Sequence, residues 1–134
     1  MQALKRPHAL KVIGHRGGFK PENTLHAFKQ ARQHNLYGVE LDVWITKDHQ
    51  LAVVHGGLDG ELPLRSEDEP HQLIYEMTLE QARKHFAETP CYKQSISHLS
   101  QDSVDPATVN IPTLAQVFDV LGSDVQVNIE IKTP

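Results

Sequence analysis

Glu40 and Asp42 stand two residues apart in the apolar run Val39-Glu40-Leu41-Asp42-Val43. Side chains at i and i+2 of a strand share one face, so this spacing aims two carboxylates at one point. Burying both is costly unless something positive compensates them, and the pair therefore asks for a cation. The pattern returns near the end of the chain, where Glu130 and Lys132 alternate with Ile129 and Ile131 in Asn128-Ile129-Glu130-Ile131-Lys132. Taken alone, either segment also fits a half-exposed antiparallel strand with its polar face in water. The elements around them decide between the two.

Leu10 to Gly14 is short and β-branched and closes on His15-Arg16-Gly17-Gly18, which reads as a strand running into a permissive turn. Pro21-Glu22-Asn23-Thr24 supplies helix-start residues, and Leu25, Phe28 and Ala31 then recur at helical spacing until Asn35 and Gly38. Val39 to Ile45 is a second strand and Leu51 to His55 a third. The Asp48-His49-Gln50 link is too short for a helix, so these two are joined by a tight loop or form a bent hairpin. Residues 56–110 lose sustained alternation and read as an excursion. Within it, Thr78 with Gln81 forms a capping box that predicts a helix from Leu79 to about Phe86. Thr113 with Gln116 repeats the signature. That helix is expected to bury Leu114, Val117, Phe118 and Leu121 and to stop at Gly122, before a last strand from Val125 to Lys132.

This order predicts parallel strands with crossover helices, an α/β fold whose ligands gather at the carboxyl ends of the strands. His15 follows the first strand, Glu40 and Asp42 end the second, His55 the third, and Glu130 and Lys132 the fourth. Four strand ends thus bring chemistry to one rim.

Composition narrows the field. A hydrophobic content of 39%, a charged content of 22% and a formal charge of -4 fit a globular domain with mixed surface charge. No basic stripe supports nucleic-acid binding. The one cysteine, Cys91, rules out an internal disulfide and reads as passive; with no signal or membrane span visible after Met1 to Arg6, the expectation is a cytoplasmic setting. His8, His26, His34, His49, His71, His85 and His98 read as solvated residues of helix surfaces and loops.

His15-Arg16-Gly17, Pro21-Glu22-Asn23-Thr24, Phe28, Ala31, Gly38 to Val43, Thr46-Lys47-Asp48, Val53-Val54-His55, Ile111-Pro112-Thr113-Leu114 and Glu130-Ile131-Lys132 together resemble the glycerophosphodiester phosphodiesterases. The resemblance implies a TIM barrel that hydrolyses glycerophosphodiesters to glycerol 3-phosphate and an alcohol with a divalent cation. It implies His15 and His55 as the acid–base pair, Glu40, Asp42 and Glu130 as metal ligands, and Arg16 and Lys132 as phosphate contacts. Three carboxylates suit magnesium, calcium or manganese better than zinc or copper. The implied partner is a small glycerophosphodiester or lysophospholipid. A related phosphodiesterase of the phospholipase D or sphingomyelinase D type is an alternative. One departure is local: His55-Gly56-Gly57 stands where the family follows its histidine with an acid.

A TIM barrel takes about 250 residues and eight strands. Residues 1–134 are therefore expected to form a partial domain, the first half of a barrel with about four parallel strands, with 56–110 as an insertion over the rim or a solvated connection. Unpaired sheet edges predict self-association, and a noncatalytic half-barrel or interaction remnant competes with the enzyme reading.

Overall fold

The computed structural model describes residues 10–99 and 104–134; the start of the chain, His8 and part of the 56–110 excursion lie outside the described residues. Four strands form one sheet centred on β2 (Gly38–Ile45). Strand β1 (Ile13–Gly14) pairs parallel with the beginning of β2, and β3 (Leu51–Val53) pairs antiparallel with its end. Strand β4 (Gln126–Ile131) runs parallel along the opposite edge, from Gly38↔Gln126 to Val43↔Ile131. Close pairing begins at Gly38, where a Cβ would stand 2.9 Å from the Gln126 carbonyl oxygen, so this position has no room for a side chain.

Three strands are parallel rather than the expected four. The five residues between β2 and β3 leave no room for a crossover, and the hairpin reading holds instead. Running backwards along β2, β3 returns the chain from beyond the rim, and the Val54 N–H donates to the Asp42 carbonyl at 3.1 Å. His55 is thereby delivered beside the acidic pair by a strand of the opposite direction.

The alternation of β2 divides the interior in two. Val39, Leu41 and Val43 face a layer of helices, packing with Phe28 and Ala31 of α1 (Leu25–Gln33) and with two residues of the helix before β4. The opposite face carries Glu40, Asp42 and Trp44, and Trp44 anchors a second core with Ala52, Leu62, Ile74, Leu79, Ala82 and Ile111. Most of that second core comes from residues 56–110. The excursion is thus packed structure rather than a solvated connection. It holds α2 (Leu79–Ala87), with the capping box of Thr78 and Gln81 formed, and a helix the sequence pattern did not reveal, α3 (Pro90–Leu99). No residue of α3 is fully buried, so it presents no apolar stripe to read.

Helix α4 (Leu114–Leu121) starts at the second capping box and stops at Gly122. It buries Val117 and Leu121 with Leu114 half-covered, but Phe118 is 44% exposed, contrary to expectation. One residue is about 100° of helix, which turns Phe118 off a stripe this narrow. His85 is also a correction. It lies on the inner face of α2 with Leu79 and Ala82, is buried, and its Nε2 donates to the Pro63 carbonyl at 2.7 Å. His26, His34, His49, His71 and His98 are exposed or half-exposed as expected. Among the described residues no helix is long and apolar enough to cross a membrane.

The hairpin is tied to the excursion by Asp48, which accepts from the Thr46 hydroxyl at 2.5 Å and from the Leu79 N–H at 3.0 Å. The Thr46 bond first, and the Leu79 bond with it, hold the Asp48 carboxyl below its ordinary range. A lowered carboxyl contributes stability above its unfolded pKa of about 3.9, and that contribution is lost as pH falls through the folded value. Asp48→Asn is therefore expected to lose less melting temperature than the parent when acidified from about pH 5 to about pH 2. Equal acid sensitivity in calorimetric melts would contradict this role.

Candidate metal and phosphate site

The register of β4 on β2 sets Glu130 opposite Asp42 and Asn128 opposite Glu40. One carboxylate oxygen from each of Glu40, Asp42 and Glu130 lies within 4.8 Å of the others. Asp42 is 1% exposed, Glu40 half-buried and Glu130 exposed, so the cluster runs from the interior to the mouth. Such crowding of like charge needs counter-charge. Lys132 Nζ lies 3.6 Å from Asp42 Oδ1, and Arg16 Nε lies 3.8 Å from Oδ2. Asn23 Nδ2 donates to the same Oδ2 at 3.0 Å.

The turn after β1 brings the next two residues. His15 Nε2 stands 3.5 Å from Glu40 Oε2, with most of its ring in solvent, and the Arg16 backbone N–H reaches the same oxygen at 3.4 Å. Arg16 has a left-handed backbone, φ 50°, and so does Asn23, φ 55°. A hydrogen bond from the Asn23 N–H to the Arg16 carbonyl, 2.8 Å, ties the two together. Arg16 Nη1 also donates to both oxygens of Glu22, at 3.1 and 2.9 Å.

His55 approaches from β3. Its carbonyl accepts from Trp44 Nε1 at 2.9 Å and from Lys132 Nζ at 3.3 Å. The residue lines a groove of about 940 Å³ that also borders Glu22 and Asn23 and runs under the excursion past Leu62, Phe86 and Ile111. Arg16, Glu40, Glu130 and Lys132 thus gather at Asp42, His15 joins them through Glu40, and His55 is joined only by its backbone carbonyl, through Lys132. Sequence reading missed Glu22, Asn23 and Trp44 as members of this constellation. The first two appeared as helix-start residues and in the family resemblance but with no role in the site, although Asn23 in a turn that tolerates positive φ was a usable sign.

Among the described residues, the buried side-chain polar atoms without a hydrogen-bond partner are Arg16 Nε, Asn23 Oδ1 and Glu40 Oε1, all in this constellation. Such groups are costly unless something bound completes them. A clustered set of hard oxygen donors that includes the unpartnered Glu40 Oε1 fits a divalent cation of the magnesium or calcium type.

Fold and site together define half of a TIM-type barrel with an acidic centre at the carboxyl ends of its parallel strands. The profile of the glycerophosphoryl diester phosphodiesterase family matches residues 15–134. Glycerophosphodiester phosphodiesterases from Caldanaerobacter subterraneus and Bacillus altitudinis are 38% and 32% identical, each aligned over 91% of this chain and 45% of the relative. A crystal structure of the Thermotoga maritima glycerophosphodiester phosphodiesterase is 30% identical with a TM-score of 0.61, over 94% of this chain and 45% of that one. An Oleispira antarctica phosphodiesterase, solved in complex with the product sn-glycerol-3-phosphate, is 26% identical with a TM-score of 0.63, over 92% and 44%. The chain belongs to the glycerophosphodiester phosphodiesterase family. It spans about 45% of the length of the curated relatives it matches.

Asn23 is expected to matter for the cluster's integrity as well as for its chemistry. Asn23→Ala removes a buried bond to Asp42 and puts an alanine at positive φ, which should cost about 2–3 kcal/mol in urea unfolding. Asn23→Gly keeps the backbone free and should recover part of that loss; identical losses would mean that φ is immaterial there.

Proposed function

We propose that this chain carries the metal-binding and proton-transferring residues of a glycerophosphodiester phosphodiesterase that releases glycerol 3-phosphate and an alcohol. The observation that carries the reading is the meeting of three carboxylates from two strands with an unpartnered buried oxygen among them. Family membership and a product-bound relative support it. Glu40, Asp42 and Glu130 would hold the divalent cation, magnesium or calcium with manganese as a third candidate. When bound, that ion supplies charge neutralisation and orientation to a phosphoryl group.

Arg16 and Lys132 grip the phosphate oxygens. With Nη1 engaged by Glu22, Arg16 keeps its other donors available, and Lys132 acts as a point charge beside the metal ligands. Both oppose the negative charge that builds in the transition state. His15 and His55 share the proton transfers, one accepting while the other donates. The described part of residues 56–110 forms an insertion that borders the groove beside His55. Its apolar walls at Leu62, Phe86 and Ile111 favour a second reading of the substrate, a lysophospholipid whose apolar part lies along the groove.

Glu40→Gln should lower divalent-cation affinity by more than the roughly 10- to 100-fold that loss of an outer partner costs, and should abolish glycerol 3-phosphate release. Undiminished cation binding in titration calorimetry would remove the metal assignment. His15→Ala and His55→Ala should each reduce turnover by roughly 100- to 10,000-fold while leaving cation binding in place. Substrate class is read by parallel assay: preference for lysophosphatidylcholine over glycerophosphocholine, lost in Phe86→Asp, supports the apolar groove. No response of either rate to that substitution would sink it.

A further inference from the structure

Trp44 follows Glu40 and Asp42 as the third residue on the same face of β2, and it is the chain's one tryptophan. The side chain is 2% exposed, yet its polar atom does not face the second core. Nε1 donates to the carbonyl of His55 at 2.9 Å, and Lys132 Nζ donates to that same oxygen at 3.3 Å. Two elements therefore hold the peptide of one histidine from two directions.

The indole also fixes the chain just beyond. Gly56 has φ 67°, and a Cβ built there would stand 2.9 Å from Trp44 Nε1. The peptide leaving His55 runs flush against the ring, in a conformation that side-chain-bearing residues rarely adopt. Glycine at 56, where the family pattern has an acid, is thereby a requirement of the indole's position.

We propose that Trp44 is a positioning residue for His55, its N–H and its ring together fixing the backbone from which the imidazole projects. The proposal rests on the reading of His55 as a proton-transferring group. A tryptophan that only filled the core would need its shape but not its N–H. The distinction matters because a misplacement of about 1 Å at a reacting group costs on the order of 100-fold in rate.

The test replaces Trp44 biosynthetically with β-(3-benzothienyl)alanine, which keeps the bicyclic shape and lacks the N–H; with one tryptophan in the chain, the substitution is confined to this position. Turnover on glycerophosphocholine should fall by roughly 10- to 100-fold, with KM and divalent-cation affinity held within about two-fold. Backbone order parameters at His55 and Gly56 should drop from about 0.85 toward 0.6. Gly56→Ala, which pushes the loop off an intact indole, should give the same split. Unchanged turnover and rigid amides in both variants would overturn the proposal. So would a loss of rate that merely tracks a raised KM or a loss of folded protein. Should the parent show no phosphodiesterase activity, the catalytic reading fails by itself, and the relaxation measurement alone decides whether Trp44 positions His55.

Discussion

A carboxylate that is 1% exposed, at the centre of a sheet, sets the terms for everything around it. Asp42 needs compensation there, and it comes from two separate stretches of chain: Asn23 and Arg16 from the loop after β1, and Lys132 just past the end of β4. Each contact has to be within a few ångströms to offset desolvation. The demand of one side chain therefore fixes where the first loop and the last strand meet. Three carboxylates are gathered against two cationic side chains, one of which is also engaged by Glu22. With negative charge in excess, the cluster is compatible with a bound cation.

The strand period converts this demand into architecture. Because β2 alternates, the residues that carry charge and the residues that bury apolar area cannot compete for one face. Val39, Leu41 and Val43 hold the helices α1 and α4, while Glu40, Asp42 and Trp44 build the opposite side, ending in a core of their own. The antiparallel return of β3 extends β2 beyond the length it shares with β4, and the excursion packs on that extension. The acidic pair and the anchor of the second core are thus consecutive positions of one strand face.

Much of this was legible because it is local. The two capping boxes name their own helix starts, the i, i+2 carboxylates name their shared face, and a link too short for a helix names a hairpin. What escaped reading depends on partners distant in sequence. Helix α3 lacks a buried stripe, His85 is buried only because Pro63 and the second core come to it, and Trp44 reads as plain core until His55 is placed against its nitrogen. Asn23 looked like a helix-start residue, which its neighbour Thr24 in fact is, accepting from the Ala27 N–H. Its bond to Asp42 spans nineteen residues and leaves no periodic trace.

The loop after β1 shows how local cost and distant gain are balanced. Arg16 in the left-handed region costs on the order of 1–2 kcal/mol, while Asn23 tolerates the same region more cheaply. A hydrogen bond to a charged group contributes roughly 1.5–3 kcal/mol, and this loop makes several: Asn23 to Asp42, the Arg16 N–H to Glu40, and Arg16 Nη1 to Glu22. The strained backbone survives because the carboxylates over-determine it. The dependence also runs the other way, since a relaxed Arg16 would withdraw its N–H from Glu40 and its guanidinium from Asp42 together. Loop conformation and charge balance at the acidic cluster are therefore one equilibrium.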